Sequence, residues 1–322
     1  MNTPKTTHPH RRRALKRAAA IAAGVLADRL IADPSRHHPV AWFGTYATKV
    51  EKRLYRDSFS AGLAYLAATT IPPMAASLLI SRAWPNLSLI PALWAAIGAR
   101  TLENTGANMK KALDEHDIDT ARSWVPWLCS RDPQLLDEVG MARATVESLA
   151  ENTSDATIAP IVWAAILGTP GVVLHRTVNT LDAMVGYRND TYRHFGTAAA
   201  RCDDLLAWLP ARITACYHLG YAYLVGRGTH SQNAWRTQAS RHPSPNAGPV
   251  EATAAGALGV TLGGKTVYAH GVEHRPELGY GPAPTTNTIA DAITLARFTE
   301  GCATLDAMTA VILIGFIRDL LN

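Results

Sequence analysis

The chain has 322 residues, and its 31 Lys and Arg against 26 Asp and Glu give a formal net charge of +5. This length excludes a disulfide-held miniprotein, and four widely spaced cysteines without a C-x-x-C pair indicate neither a disulfide framework nor a zinc site. A content of 48% hydrophobic and 18% charged residues would fit a soluble protein, but the charge is unevenly distributed along the chain.

The N-terminal region is strongly basic. Residues 1–57 carry 12 basic and 4 acidic side chains, which predicts a cytoplasmic N-terminus by the positive-inside rule. An arginine-rich start followed by an apolar run imitates a signal peptide, but no convincing cleavage site follows it. We therefore interpret residues 1–17 as a basic, disordered tail.

Apolar windows of about membrane length recur along the chain. They lie at residues 58–81, 83–99, 156–174, 205–226 and 301–317. Helical spacing prevails elsewhere, and a glycine-rich stretch at 256–268 could hold a short hairpin. We predict a mainly α fold, a multi-pass helical membrane protein with large polar insertions, formed as a single integral membrane domain over residues 1–322. A buried helix of a large soluble core is the alternative for each window.

The window at 156–174 is interrupted by glycine and proline at residues 168–171, which favours a re-entrant or bundle-buried segment. Just before it, Glu147, Glu151 and Asp155 recur every four residues and are predicted to share one helix face. Ionisable groups that run into a membrane segment are costly and tend to be functional. This favours binding of a metal or cationic group over the alternative, a solvated acidic face.

A second polar stretch follows the same window. Asn179 and Asp182 are predicted to share a helix face, and Arg188 offers a planar fork suited to carboxylate or phosphate. Asp203 and Asp204 lie further along the chain. Mg²⁺ prefers oxygen ligands and usually shares them with substrate phosphates, so this set fits a Mg²⁺-phosphate site. A network of helix caps and salt bridges is the alternative.

Two further segments contain candidate binding motifs. Prolines at 243 and 245 would hold His242 and Asn246 rigidly, as a binding loop requires, although a structural turn is equally compatible. Residues 259–266 match the phosphate-loop pattern G-x-x-x-x-G-K-[ST]. That chemistry needs a strand before the loop and a helix after it, whereas 251–258 is typical of an Ala-rich helix and 267–279 of a loop. We therefore do not assign a phosphate loop.

The order of these motifs resembles that of the CobD/CbiB family, the adenosylcobinamide-phosphate synthases of cobalamin biosynthesis. The resemblance extends over about residues 25–281. It is carried by the segments 28–42, 147–155, 176–189, 195–212, 242–248 and 275–279. Pro249 stands where the family usually has an aromatic residue, and the basic tail has no counterpart that we recognise.

This resemblance implies a multi-pass cell-membrane enzyme. It would join aminopropanol, or aminopropanol phosphate, to the remaining propionate carboxylate of adenosylcobyric acid, forming an amide with hydrolysis of ATP. ATP and Mg²⁺ are implied as co-substrate and ion, and a corrinoid as substrate. The lipid bilayer and other late cobalamin-pathway enzymes are the expected partners, and nucleic acid is not.

Residue chemistry then suggests roles within that reaction. The predicted catalytic residues are Glu151 as general base, Asp155, Asn179, Asp182 and Arg188. The predicted metal ligands are Asp182, Asp203 and Asp204, and the predicted substrate-binding residues are His38, His242, Asn246 and Arg275. The competing hypothesis is a non-catalytic membrane scaffold or transporter for late corrin-pathway enzymes or intermediates, which has no need of such concentrated Asp, Asn and Arg.

Overall fold

The computed structural model describes residues 9–34, 37–187, 189–268 and 271–322, with the backbone alone for 265–268 and 271–273. The α-helices are α1 (Pro9–Leu30), α2 (Pro39–Leu54), α3 (Phe59–Ala83), α4 (Leu89–Ala96), α5 (Ala99–Asp114), α6 (Ile118–Leu128), α7 (Glu138–Thr153), α8 (Ala159–Leu167), α9 (Thr169–Val185), α10 (Thr197–Leu224), α11 (Gly228–Thr237), α12 (Ala247–Leu258) and α13 (Thr286–Leu321). A π-helical turn, Ser154–Ile158, joins α7 to α8, and strands β1 (Thr261–Tyr268) and β2 (Gly271–Gly279) form an antiparallel hairpin. The mainly helical prediction is confirmed.

Two helices among the described residues, α3 and α13, are long and apolar enough to cross a membrane. The other predicted windows are organised differently. In the window at 83–99 the chain leaves the helix at Trp84, because a residue before proline is disfavoured in helical geometry, and only the eight-residue α4 follows. The window at 156–174 is broken at Gly168, whose φ of 70° ends α8, and the predicted interruption is confirmed. The window at 205–226 lies almost wholly within α10.

The prediction of a disordered tail is wrong for residues 9–17, which form the first half of α1, while residues 1–8 lie outside the described part of the chain. Contacts with α13 explain the order. The Asp319 carboxylate accepts the backbone N–H groups of His10 and Arg11 at 3.0 and 2.8 Å, and the Arg11 guanidinium lies over the Phe316 ring. A helix begins here because its free amides are capped from a distant part of the chain.

Contacts between residues divide the chain into two compact units. The first unit comprises Met1–Ile97, Pro160–Gly196 and Cys302–Asn322, as far as these are described, and the second Gly98–Ala159 and Thr197–Gly301. The single integral membrane domain stays a prediction.

In the first unit, α3 packs against α2 and α9, and α1 packs against α4. A Cβ atom at Gly62 would lie 1.9 Å from the Phe195 carbonyl oxygen, so the chain approaches α3 too closely for any larger residue there. The buried rings of Tyr65 and Phe195 pack 5.1 Å apart beside this contact.

In the second unit, α12 is the central element, since every one of its residues is buried. Its small side chains allow close packing: a Cβ atom at Gly256 would lie 2.3 Å from the Ser231 Cα on α11. The hairpin packs against α12 and pairs Leu262 with Leu278, which are both fully buried. The expected short hairpin is confirmed but begins later and extends to Gly279, so the interpretation of 267–279 as a loop is wrong.

The phosphate-loop pattern lies partly at the left-handed C-cap of α12, Gly259, and partly in strand β1. A helix therefore precedes it and a strand contains it, the reverse of what phosphate binding by this motif requires. Residues 259–266 therefore do not form a phosphate loop, as predicted.

Candidate functional site

A cluster of ionisable side chains with little exposure lies in the second unit, and we refer to it as the charge cluster. Its members are Arg131, Glu147, His242, Glu251 and Arg275. The Arg275 guanidinium donates to Glu147 Oε2 at 3.1 Å and to Glu251 Oε1 at 2.9 Å. Arg131 donates to the same Oε2 of Glu147, and the Gly263 amide donates to its other oxygen at 2.7 Å. One arginine thus bridges two carboxylates, and one of these carboxylates is held from three directions.

Five separate segments supply the members of the charge cluster. Glu147 lies on α7, whose first turn is capped by the Asp137 carboxylate accepting the Gly140 amide. Glu251 lies on α12, and β2 carries Arg275 between these two helices. Arg131 follows α6, and His242 follows a short 3₁₀ turn. The hairpin therefore contributes to the site chiefly by delivering Arg275.

The protonation states in the charge cluster differ between its two carboxylates. Burial opposes ionisation of Glu147, but Arg131, Arg275 and the Gly263 amide outweigh it and hold the pKa of Glu147 below its ordinary value. Complete burial raises the pKa of Glu251 to about 8, because Arg275 only partly offsets the lost hydration. Two arginines then face one ionised carboxylate near neutral pH, and this excess positive charge favours bound carboxylate or phosphate.

His242 is a neutral imidazole in this arrangement. Arg275 Nη2 lies 2.6 Å from His242 Nε2, and since a guanidinium can only donate, Nε2 accepts. On the other side of the ring, Nδ1 accepts a hydrogen bond from the Ser244 amide at 3.0 Å and lies 3.3 Å from the Ser244 carbonyl oxygen, so both ring nitrogens face donors and a proton on either one displaces a donor. Burial, followed by the charge of Arg275, lowers the pKa of His242 to about 4. The predicted substrate-binding residues His242 and Arg275 are therefore in direct contact.

We expect Glu251 to make the protein less stable as pH rises from 6.5 to 8. The folded chain keeps the Glu251 proton up to about pH 8, whereas the unfolded chain releases it near 4.5, so stability is lost as pH rises between these values. His242 has the opposite effect only below pH 6.5, where the unfolded chain takes up a proton. Between pH 6.5 and 8 the wild type should lose about 2 kcal/mol through Glu251.

Thermal or denaturant unfolding of the wild type and of Glu251→Gln across this pH range measures the effect. The glutamine variant should show a clearly flatter profile, because it cannot release a proton. Parallel profiles for the two proteins would mean that Glu251 is already ionised when the protein is folded.

Glu151 lies one helical turn beyond Glu147 but differs from it in exposure. Its side chain keeps contact with solvent. The surrounding protein removes part of the hydration of the carboxyl and so raises its pKa. The negative charge of Glu147 raises the pKa further, and the positive charge of Arg275 partly offsets the increase. Asp155 is half-buried in the π-helical turn, a feature that is frequent at functional sites. The predicted acidic face thus begins at a buried ion pair and ends at two carboxylates that reach solvent.

Asn246 connects the loop after α11 to α10. Its side-chain oxygen accepts a hydrogen bond from Arg212 at 2.7 Å, and its amide group donates to the Asp204 carbonyl oxygen at 2.9 Å. The Arg212 guanidinium lies 4.7 Å from the centre of the Trp208 ring. The loop is therefore rigidly attached to the segment that carries Asp203, which is buried, and Asp204, which is half-buried.

The remaining predicted residues belong to the first unit. His38 caps α2 through Nδ1, and its Nε2 lies 3.2 Å from Asp33. Asn179 accepts a long hydrogen bond of 3.3 Å from Arg176. Asp182 is half-buried on the last turns of α9, where a Cβ atom at residue 186 would meet its carboxylate and lie 2.7 Å from its backbone carbonyl oxygen, which favours glycine at that position. Arg188 lies outside the described residues.

The charge cluster contains three residues that were not among the predicted site residues. Glu147 could have been found, since it lies on the same predicted helix face as Glu151. The sequence signal for Glu251 was weaker: it follows the predicted binding loop that contains the prolines at 243 and 245. Arg131 had none, because its contact with Glu147 depends on how the segment after α6 folds back.

Across the described residues, no three His, Cys, Asp or Glu side chains are grouped closely enough to hold a metal ion. A complete protein-built metal cage is therefore not preformed there. An ion that arrives on the phosphates of a nucleotide needs only one or two carboxylates, which Asp182, or Asp203 with Asp204, can supply. Asp182, Asp203 and Asp204 therefore stay predicted ligands of an ion that is bound together with phosphates.

Comparison with known proteins gives a consistent family assignment. The family described as CobD/Cbib protein matches residues 21–296. Cobalamin biosynthesis protein CobD of Mycobacterium tuberculosis (strain ATCC 25618 / H37Rv) is 43% identical over 298 residues, covering 91% of this chain and 95% of the relative. The protein of the same name from Chromobacterium violaceum is 43% identical over 313 residues, covering 94% of this chain and 99% of the relative. That from Stutzerimonas stutzeri is 44% identical over 285 residues, covering 86% of this chain and 92% of the relative.

No solved structure matches the chain. Since the family match and these relatives each extend over most of its length, the chain belongs to the CobD/CbiB family of cobalamin biosynthesis proteins.

Proposed function

We propose that the chain is the ATP-dependent enzyme that forms adenosylcobinamide or its phosphate. It would join the amine of aminopropanol, or of aminopropanol phosphate, to the propionate carboxylate of adenosylcobyric acid. The observation that carries this proposal is membership of the CobD/CbiB family over nearly the whole chain, combined with a charge cluster next to the solvent-accessible Glu151.

The chemistry explains why such residues are useful. A carboxylate is a poor acyl donor, so the proposed reaction first transfers a phosphoryl group from ATP to the propionate oxygen and releases ADP. The amine then attacks the acyl carbon, the C–O bond to phosphate breaks, and the amine loses a proton. Mg²⁺ held by Asp182, Asp203 or Asp204 would offset the charge of the phosphates.

Glu151 is suited to take the proton from the amine. A general base is most effective when its pKa lies near the working pH, and the surrounding protein, which removes part of the hydration of this carboxyl, raises its pKa. The excess positive charge of the charge cluster would favour carboxylate or phosphate groups of the substrates nearby. His242, Asn246 and Arg275 stay proposed as substrate-binding residues, and so does His38 in the first unit.

A multi-pass location in the cell membrane, with a cytoplasmic N-terminus, is part of this proposal. It is supported by α3 and α13. Association with other late cobalamin-pathway enzymes would be expected at that surface.

We expect the protein to stay in the membrane fraction after washing with high salt and then with alkali. Salt screens the charges that hold peripheral proteins, but it does not weaken the burial of apolar helices in lipid. Immunodetection in the pellet and supernatant measures the distribution, with a peripheral membrane protein as the control. Release of the full chain by alkali would contradict the proposed location.

An assay with the purified full chain tests the proposed reaction. Adenosylcobyric acid, Mg²⁺-ATP and either amine are supplied, and the amide product and ADP are quantified together. Equal amounts of amide and ADP are expected, with much slower turnover for Glu151→Gln. Absence of ATP-dependent amide formation by folded protein, unless another protein is added, would favour the scaffold or transporter hypothesis.

A further inference from the structure

The beginning of α1 and the end of α13 form a common surface in the first unit. The Asp319 carboxylate binds the backbone amides of His10 and Arg11. The helices also touch closely, since a Cβ atom at Gly315 would lie 2.4 Å from the Ala14 Cβ. The side chains of the two helix ends are therefore neighbours, and the first amides of α1 are already occupied.

This common surface is strongly basic. The sequence holds no acidic residue before Asp28. Exposed cations cover the outer side of both helix ends, and we refer to Arg12, Arg13, Lys16 and Arg318 as the basic end. Burial and then the charge of Arg318 lower the pKa of Arg17, which places these two cations within each other's field.

Arg17 differs from the members of the basic end. It is half-buried, and its Nε and Nη2 atoms donate to the Ala164 carbonyl oxygen at 3.0 and 2.6 Å. That carbonyl lies in the last turn of α8, so the contact caps a helix. The four exposed cations therefore have a different role from the neighbouring Arg17.

Exposed apolar side chains accompany the basic end. On the last turns of α13, Ile317 is 54% exposed and Leu320 and Leu321 are 83% and 80% exposed. Leu15 on α1 is 46% exposed. Clustered apolar exposure of this kind is typical of surfaces that contact lipid or another protein. A cationic rim on the end of an apolar helix has the arrangement of a membrane interface on its cytoplasmic side.

We propose that the basic end binds the headgroups of anionic phospholipids while the adjacent apolar side chains contact their acyl chains. This inference rests on the membrane location proposed above. The cations supply charge complementary to a phosphate or carboxylate headgroup, and several cations near a membrane surface add their attraction. A soluble phosphate would make no use of the apolar side chains, which is why the structure favours a lipid.

A lipid-binding measurement on the purified full chain tests this inference. The protein is held in micelles of a neutral detergent, dioleoyl phosphatidylglycerol or dioleoyl phosphatidylcholine is added, and bound lipid is counted by native mass spectrometry. The anionic lipid should bind at least about tenfold more tightly, and this preference should fall as sodium chloride screens the charges.

Two double variants separate the basic end from general charge effects. Arg12→Gln with Lys16→Gln should remove most of the preference. Lys111→Gln with Arg236→Gln deletes the same charge at exposed positions of the second unit and should keep it. Equal binding of the two lipids by the wild type, or an unchanged preference in the first double variant, would overturn the inference. So would an equal loss in both variants, or displacement of the anionic lipid by millimolar inorganic phosphate.

The outcomes distinguish this inference from the proposed location. Loss of lipid preference in a protein that resists alkaline extraction overturns only the inference. Release from membranes by alkali overturns the proposed location itself.

Discussion

Replacing Arg275 by methionine is expected to lower the free energy of unfolding by about 3 kcal/mol, the lower end of what removal of one partner from a buried ion pair costs. The Arg275 guanidinium bridges Glu147 and Glu251, and methionine supplies a similar apolar stem without any donor. The loss is limited by two compensations: Glu147 keeps Arg131, and Glu251 can hold its proton.

Unfolding of Arg275→Met and of a matched control, Arg241→Met, measures this effect. Arg241 is an exposed arginine next to His242, so its replacement should change stability by less than about 0.5 kcal/mol. Adding Glu251→Gln to each background gives a double-mutant cycle, in which the glutamine should cost less when Arg275 is already absent. Additive effects would show that Arg275 and Glu251 do not stabilise each other.

Asp182→Asn should lower turnover by about 10² or more, as expected when several kcal/mol of electrostatic stabilisation are lost. Asparagine keeps the shape and much of the hydrogen bonding but lacks the negative charge that Mg²⁺ requires. The position is demanding structurally as well, because Gly186 packs directly against the Asp182 carboxylate. A purely structural role would instead lower thermal stability and leave the folded fraction nearly as active.

Turnover per folded molecule across a Mg²⁺ titration separates these two roles. Asp190→Asn, an exposed acid close by in sequence, serves as the control and should behave like the wild type. Partial rescue of Asp182→Asn by excess Mg²⁺ would support an ion at this carboxylate. Full turnover with unchanged Mg²⁺ dependence would remove Asp182 from the proposed site.

The sequence predicts the mainly helical fold well, because apolar windows and helical spacing are local signals. It predicts continuous spans poorly where a single residue interrupts the backbone. Trp84 stops the helix because a proline follows it, and Gly168 does so with a positive φ. The order of residues 9–17 depends on Asp319, about 300 residues away, and no local pattern could reveal it.

In the candidate site, too, local signals could be read from the sequence, whereas contacts between distant segments could not. His242 and Arg275 could be proposed as binding residues from their motifs, but their direct contact could not, since the register of β2 sets where Arg275 lies. A periodic pattern placed Glu147 and Glu151 on one face without showing that one is buried and the other exposed. That difference comes from the segments that cover α7, which the pattern does not contain.

The discontinuous first unit has a consequence for synthesis on the ribosome. Residues 98–159 and 197–301 of the second unit are all made before residues 302–322, which the first unit still needs. The first amides of α1 therefore stay uncapped by Asp319 until that residue has left the ribosome. Truncation shortly before Asp319 should consequently damage the beginning of the chain as much as its end, with the newly made N-terminal helix exposed to proteases.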